Sequence, residues 1–157
     1  KYNSSKNLVL IMKIIRSIHT FLSSLQNLDF LGLFLIRIYL FNVMWYAGTG
    51  KIANIDKFSA WLGTLGVPFP EIMTWMVIIT EAGGAAFILV GLFVRWASIP
   101  LLITMFFAGY LVHLDNGWSY ENNGIEFAAI YSLMLLVLLF SGGGRYLSLD
   151  YWVTSKK

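Results

Sequence analysis

Long apolar runs alternate with short polar interruptions along this chain, and the length of the runs predicts its elements. Four runs are long enough to cross a hydrocarbon core of about 30 Å, which takes about 20 helical residues. They are roughly 29–48 (DFLGLFLIRIYLFNVMWYAG), 71–94 (EIMTWMVIITEAGGAAFILVGLFV), 96–114 (WASIPLLITMFFAGYLVHL) and 125–142 (IEFAAIYSLMLLVLLFSG). Pro100 falls in the first turns of the third run, where proline is tolerated, and Gly142, Gly143 and Gly144 close the fourth. Residues 8–27 are apolar as well, but Lys13, Arg16 and His19 interrupt them. That pattern predicts an amphipathic helix on the membrane surface in preference to a fifth crossing. Between the first two runs, residues 49–70 are rich in glycine and proline, and FSAWLGTLG predicts a short helix anchored at the interface by Trp61.

Composition turns these runs into a membrane protein. Of 157 residues, 58% are hydrophobic and only 12% charged, against about a quarter charged in a soluble domain. The expected fold is an all-α membrane protein: an antiparallel bundle of four transmembrane helices with an N-terminal amphipathic interfacial helix. Residues 1–28 form the cytoplasmic-side segment, 29–152 the transmembrane domain and 153–157 a cytoplasmic tail. MKIIRSIHTFLSSLQ lacks the pattern of a secretory signal, and Met12 followed by Lys13 would serve as a natural start, with residues 1–11 an extension. The absence of cysteine excludes disulfides, thiol relays and cysteine-held clusters. A net charge of +3 points to the lipid bilayer as partner and to no nucleic acid.

Charge also sets orientation. Four crossings place Lys1, Lys6, Lys13, Arg16, Arg95, Arg145, Lys156 and Lys157 on one side and only Lys51 and Lys57 on the other. Basic residues accumulate on the cytoplasmic side, so both termini are expected there, in a bacterial inner membrane. Trp45, Trp61, Trp75 and Trp118 then mark the outer boundary, Trp96 and Trp152 the inner one.

Two groups of residues carry candidate chemistry. Arg37 and Glu81 are ionisable and deep in the apolar runs, at matching counts from the outer ends, which predicts an intramembrane ion pair between the first two helices. Such a pair either fixes helix register or relays a proton or substrate. The second group is YLVHLDNGWSYENNGIEF, residues 110–127, which faces outward. Tyr110 and His113 share a helix face, and Glu126 opens the next helix, so the three could border a pocket for a quinone headgroup. An interfacial belt of half-wet side chains is the plainer reading. Zinc or copper(II) at His113, Asp115 and Glu126 is chemically open, but with one histidine and no thiolate no metal is expected. His19 and His113 lie on opposite sides, which excludes a bis-histidine haem.

The order and spacing of RIYLFNVMWYAGTGKI, FSAWLGTLGVPFP, TEAGGAAFILVGLFVRWA, VHLDNGWSYENNGIEFA and GGGRYLSLDYW resemble the DoxX family of small bacterial membrane proteins. HLDNGW and RYLSLDYW are similar to its HvfX-type branch. The resemblance implies a four-helix bundle with a role in membrane-linked redox or stress metabolism. One relative, DoxD, is a subunit of a thiosulfate:quinone oxidoreductase. It also implies that Arg37, Lys51, Glu81, His113, Asn116, Glu126 and Arg145 occupy family positions. The expected function is therefore a membrane subunit, of an oxidoreductase or of a metal-handling pathway, acting at the outer face with soluble partners. Independent catalysis is not expected, and Tyr110, His113, Asp115, Asn116, Glu126 and Lys51 are the candidate pocket. Quinone is the one cofactor considered. A scaffold for soluble proteins, a small transporter gated by the Arg–Glu pair, and a homodimer stay open.

The orientation is directly testable. Reporter fusions after Lys57 or Trp118 should be active only outside the cytoplasm, and cytoplasmic activity at either position overturns the topology.

Overall fold

The computed structural model describes residues 2–154, with side chains from residue 10 onward. All its regular elements are helical, with no strand among the described residues. Helix α1 (Tyr2–Ser24) passes through a 3₁₀ turn, Leu25–Leu28, into α2 (Asp29–Ile52). The short helix α3 (Ile55–Thr64) follows, with Ser59 and Leu62 turned inward and Trp61 partly exposed, close to the expected span. Helix α4 (Pro70–Ile78) starts with proline, which is preorganised for a first turn, and continues through a π turn, Ile79–Gly83, into α5 (Gly84–Val90). Helix α6 (Val94–Ala108) ends in a second π turn, Gly109–His113, before a loop leads to α7 (Glu126–Ser141) and the short α8 (Leu149–Thr154).

Three stretches are long and apolar enough to cross a membrane: Leu10–Ile52, Pro70–Val90 and Val94–Asn116. Helix α7 has 16 residues, about 24 Å of rise, which is shorter than a full hydrocarbon core. On α1, every side chain from Leu10 to Leu22 is exposed, so its apolar residues find no cover within the chain.

The bundle core runs along one face of each packed helix. Leu40 and Met44 of α2 meet Ala85 and Ile88 of α5, Val94, Ala97, Leu101 and Met105 of α6, and Leu135 and Leu138 of α7. Spacings of three and four residues put Arg37, Leu40, Met44 and Gly48 on that same face of α2, and all four are buried. Gly48 is where α2 comes closest to its neighbour. A Cβ there would stand 2.7 Å from the Ala82 backbone nitrogen, so any larger residue would push α2 off the π turn.

This contact sets the register and corrects the expected Arg37–Glu81 pair. Counting from matched outer ends would set Gly48 beside Glu71, but Gly48 lies beside Ala82, a slip of about 16 Å along the axis. The cause is α3, which packs on α4 and lets α4 rise past the end of α2. Arg37 consequently meets the far end of α5.

There Arg37, 1% exposed, ties off the bundle. Its Nε donates to Ile88 O (2.7 Å) and Nη2 to Leu89 O (2.5 Å), at the C-terminal end of α5. Nη1 donates to Gly143 O (2.8 Å) and Leu147 O (2.7 Å), just beyond α7. Helix C-termini carry unpaired carbonyls and partial negative charge, so a planar cation with several donors fits where two of them converge. Gly91 makes room. It ends α5 at φ 71°, and a Cβ on it would lie 2.6 Å from Arg37 Nη2. Ser148 Oγ and the Asp150 backbone N–H both donate to Gly91 O. The Asp150 carboxylate in turn accepts from the backbone N–H groups of Phe93 (2.8 Å) and Val94 (3.0 Å), capping α6.

Arg37→Lys should be nearly as damaging as Arg37→Met. One ammonium cannot reach four carbonyls on two segments, and each carbonyl left buried and unpaired costs about 1–3 kcal/mol. Thermal unfolding in detergent should show a clear fall in midpoint for both. An unchanged midpoint for Arg37→Lys would remove this knot as the clamp of the bundle.

Candidate functional site: a lysine–glutamate pair on a π turn

Glu81 finds a different cation. Lys51 lies three residues beyond Gly48 on the same face of α2, and its Nζ stands 2.6 Å from Glu81 Oε2. Glu81 is almost fully buried, while the Lys51 side chain keeps 21% of its surface. Lys51 Nζ also donates to Ala47 O at 3.3 Å and lies 5.3 Å from the centre of the Phe58 ring of α3. The ammonium therefore sits between a carboxylate, the carbonyl end of α2 and an aromatic face, all of which favour a positive charge. The π turn re-aims one residue relative to a regular helix, and turns of this kind recur at functional sites. Here it brings the Glu81 carboxylate to the inner face of the bundle while Gly48 lets α2 approach.

The outer cluster is organised differently from the expected pocket. His113, in the second π turn, bonds through Nδ1 to Asn123 O at 2.8 Å. A carbonyl only accepts, so Nδ1 carries the hydrogen. Asn116 Nδ2 donates to the same oxygen (3.2 Å) and to Val112 O (3.3 Å). The Glu126 carboxylate accepts from the Tyr120 backbone N–H at 3.0 Å. Backbone bonds from Ile125 to Gly117 and from Glu126 to Trp118 close the loop on itself. His113, Asn116 and Glu126 thus hold the loop together. Asp115 is exposed, and Tyr110, 59% exposed, stacks parallel on Phe106.

Lys51 does not belong to this cluster either. Gly84 packs against Leu101, and counting up each helix from that level puts His113 about 13 Å beyond Glu81. Among the described residues, no three histidine, aspartate or glutamate side chains come together to hold a metal. Two cavities lie elsewhere. One, of about 510 Å³, is lined by Asp29, Phe30, Leu33, Ser141, Gly144 and Arg145, where α2 starts and α7 ends. The Asp29 carboxylate pairs there with Arg145 at 2.7 Å and holds its guanidinium above the ordinary value. The other, of about 380 Å³, runs along the π turn from Ile79, Thr80 and Gly83 to Phe93 and Trp96.

An all-helical chain with three membrane-length apolar helices and an interior ion pair is a multi-pass membrane protein. A family model described as DoxX matches residues 32–114, more than half of the chain, and the chain belongs to the DoxX family. The matched stretch holds Arg37, Lys51, Glu81 and His113 and ends before Glu126 and Arg145. Two uncharacterized proteins of Haemophilus influenzae are similar to it. One is 28% identical over 123 residues, covering 76% of this chain and 81% of the relative. The other is 31% identical over 101 residues, covering 62% and 72%. No solved structure matches.

The pairing can be measured as a coupling. Glu81→Gln and Lys51→Met should each destabilise the bundle by about 3–5 kcal/mol, because each leaves a poorly solvated charge without its partner. The double variant should be less destabilised than the sum. Arg37→Met and Glu81→Gln should instead add within about 0.5 kcal/mol. A large coupling between Arg37 and Glu81, with none between Lys51 and Glu81, would reverse the assignment.

Proposed function

We propose that this DoxX-family protein is a membrane subunit of a redox or metal-handling pathway and that the Lys51–Glu81 pair is its working centre. In this reading α7 completes a four-helix span, both termini face the cytoplasm of a bacterial inner membrane, and α1 lies on the inner leaflet. The pair then sits toward the outer half of the bundle, beneath α3. The observation that carries the proposal is the burial of Glu81 on a π turn with its ammonium partner at 2.6 Å. Helix register alone could be specified by apolar packing, as Leu40 and Met44 do elsewhere on α2. A carboxylate and an ammonium in contact can pass a proton between them while their summed charge stays constant. Given to a membrane-soluble carrier such as a quinone, which takes up a proton with each electron, that proton would be replaced from water at the partly exposed Lys51 amine. Electrons would come from a soluble partner protein at the outer face.

A complementation assay in a host lacking its own copy tests this. Glu81→Gln and Lys51→Met should abolish complementation, beyond what their lowered membrane abundance accounts for, with activity compared per molecule of folded protein. The exchanged pair, Lys51→Glu with Glu81→Lys, should recover stability without activity. His113→Ala should act through loop order and impair complementation less. Quinone extracted with the purified parent and lost in Glu81→Gln would support the carrier assignment. Full complementation by both single variants would refute the proposal.

A further inference from the structure

Helix α2 carries a polar side chain on the wrong side. Asn42 is exposed and lies between Arg37 and Lys51, well within the apolar stretch. The buried face of α2 is Arg37, Leu40, Met44 and Gly48, and at about 100° per residue Asn42 points about 150° away from it. Its Nδ2 donates once, to Ile38 O at 2.8 Å. The second amide hydrogen and the amide oxygen have no partner among the described residues. Hydrocarbon offers neither donor nor acceptor, so an amide facing lipid is unfavourable and is relieved when another helix supplies both.

The residues around Asn42 form a seam. Leu28, Gly32, Leu35, Tyr39, Asn42, Tyr46 and Thr49 recur at alternating steps of four and three. This is the period with which two helices pack side by side over several turns. Leu35 is 56% exposed and Tyr46 84% exposed, and the bundle touches the seam near Asn42 only where Tyr39 leans its ring toward Tyr131 of α7. Gly32, also exposed, would let two backbones come close at the inner end.

We propose that this face of α2 is the contact surface between two copies of this chain, with Asn42 bonded to the partner's Asn42. The occupant follows from the chemistry of the amide, which carries one acceptor and two N–H donors and is therefore its own complement. Two copies inserted in the same direction meet about a two-fold axis normal to the membrane, and that axis sets each residue opposite itself at equal depth. A lone asparagine in such a seam also fixes the register of the pair. The inference requires only that α2 cross the bilayer, and it is independent of the role given to Lys51 and Glu81.

The chain has no cysteine, so single-cysteine variants report without background. In native membranes, oxidation should give disulfide-linked dimers with Leu35→Cys and Tyr46→Cys, which keep Asn42. Yields should be several-fold higher than with Ile103→Cys on α6 or Leu133→Cys on α7, both of which are also exposed. Energy transfer between labelled copies in liposomes should fall for Asn42→Leu, with dimer affinity weakened about three- to ten-fold, and should recover in Asn42→Gln. Asn42 touches no core residue, so monomer helicity serves as the control for folding. Equal cross-linking at seam and control positions overturns the proposal. So does energy transfer indifferent to Asn42→Leu, or a seam cross-link formed only with a different membrane protein.

Discussion

Arg37 is the interaction on which the rest of the bundle depends. A guanidinium without water must spend its donors on protein oxygen, and this one reaches four carbonyls at the ends of α5 and α7. Ile88 O also accepts from the Gly91 backbone N–H, and the guanidinium adds a donor to each of the four. One charge thus answers the need of two helix termini, and the termini answer the need of the charge. Gly91 and Asp150 follow from this arrangement. The glycine clears space for the guanidinium, and the aspartate, brought into place by the same turn, caps α6.

With the Arg37 end of the bundle fastened, the opposite end can hold something less economical. Glu81 and Lys51 lie about 20 Å from the Arg37 level along α2, and a break in the regular helix ladder positions the glutamate. Among the described residues, the two π turns carry Glu81 and His113. One serves an ion pair inside the bundle. The other ends α6 and lets the imidazole bond a loop carbonyl. The division is between a clamped end built from backbone carbonyls and an opposite half in which side-chain charges meet.

Much of this was legible in the sequence. The apolar runs predicted α2, the α4–α5 helix, α6 and α7, and FSAWLGTLG predicted α3, because burial and helical period leave direct marks in a sequence. Arg37 and Glu81 stood out because charges are rare in such runs. Their partners were not legible. Pairing by depth assumes that neighbouring helices begin at the same level, and α3 breaks that assumption by lifting α4 past α2. The Lys51–Glu81 contact depends on that offset and on a π turn that TEAGG does not announce. Lys51 entered only through family resemblance and only as part of the outer pocket. The loop at 110–127 is polar, as its composition says, but its polar groups turn toward its own backbone. Asn42 carried a signal that depth and charge did not reveal: a single amide at a heptad position among exposed Leu35, Tyr39 and Tyr46.

The Arg37 knot has a consequence for how the protein is made. Two of its acceptors, Gly143 O and Leu147 O, lie 106 and 110 residues downstream. At a bacterial elongation rate of about 5–20 residues per second, α2 waits about 5–20 s for them to be synthesised. During that interval the guanidinium can reach along its flexible stem to the headgroup region at the start of α2, where water and phosphate serve as acceptors. Its position eight residues inside the start of α2 is within reach of that boundary, so the first helix can be delivered to the bilayer before the clamp exists. Closure of the knot therefore comes late relative to α2, timed by the synthesis of residues 143–147.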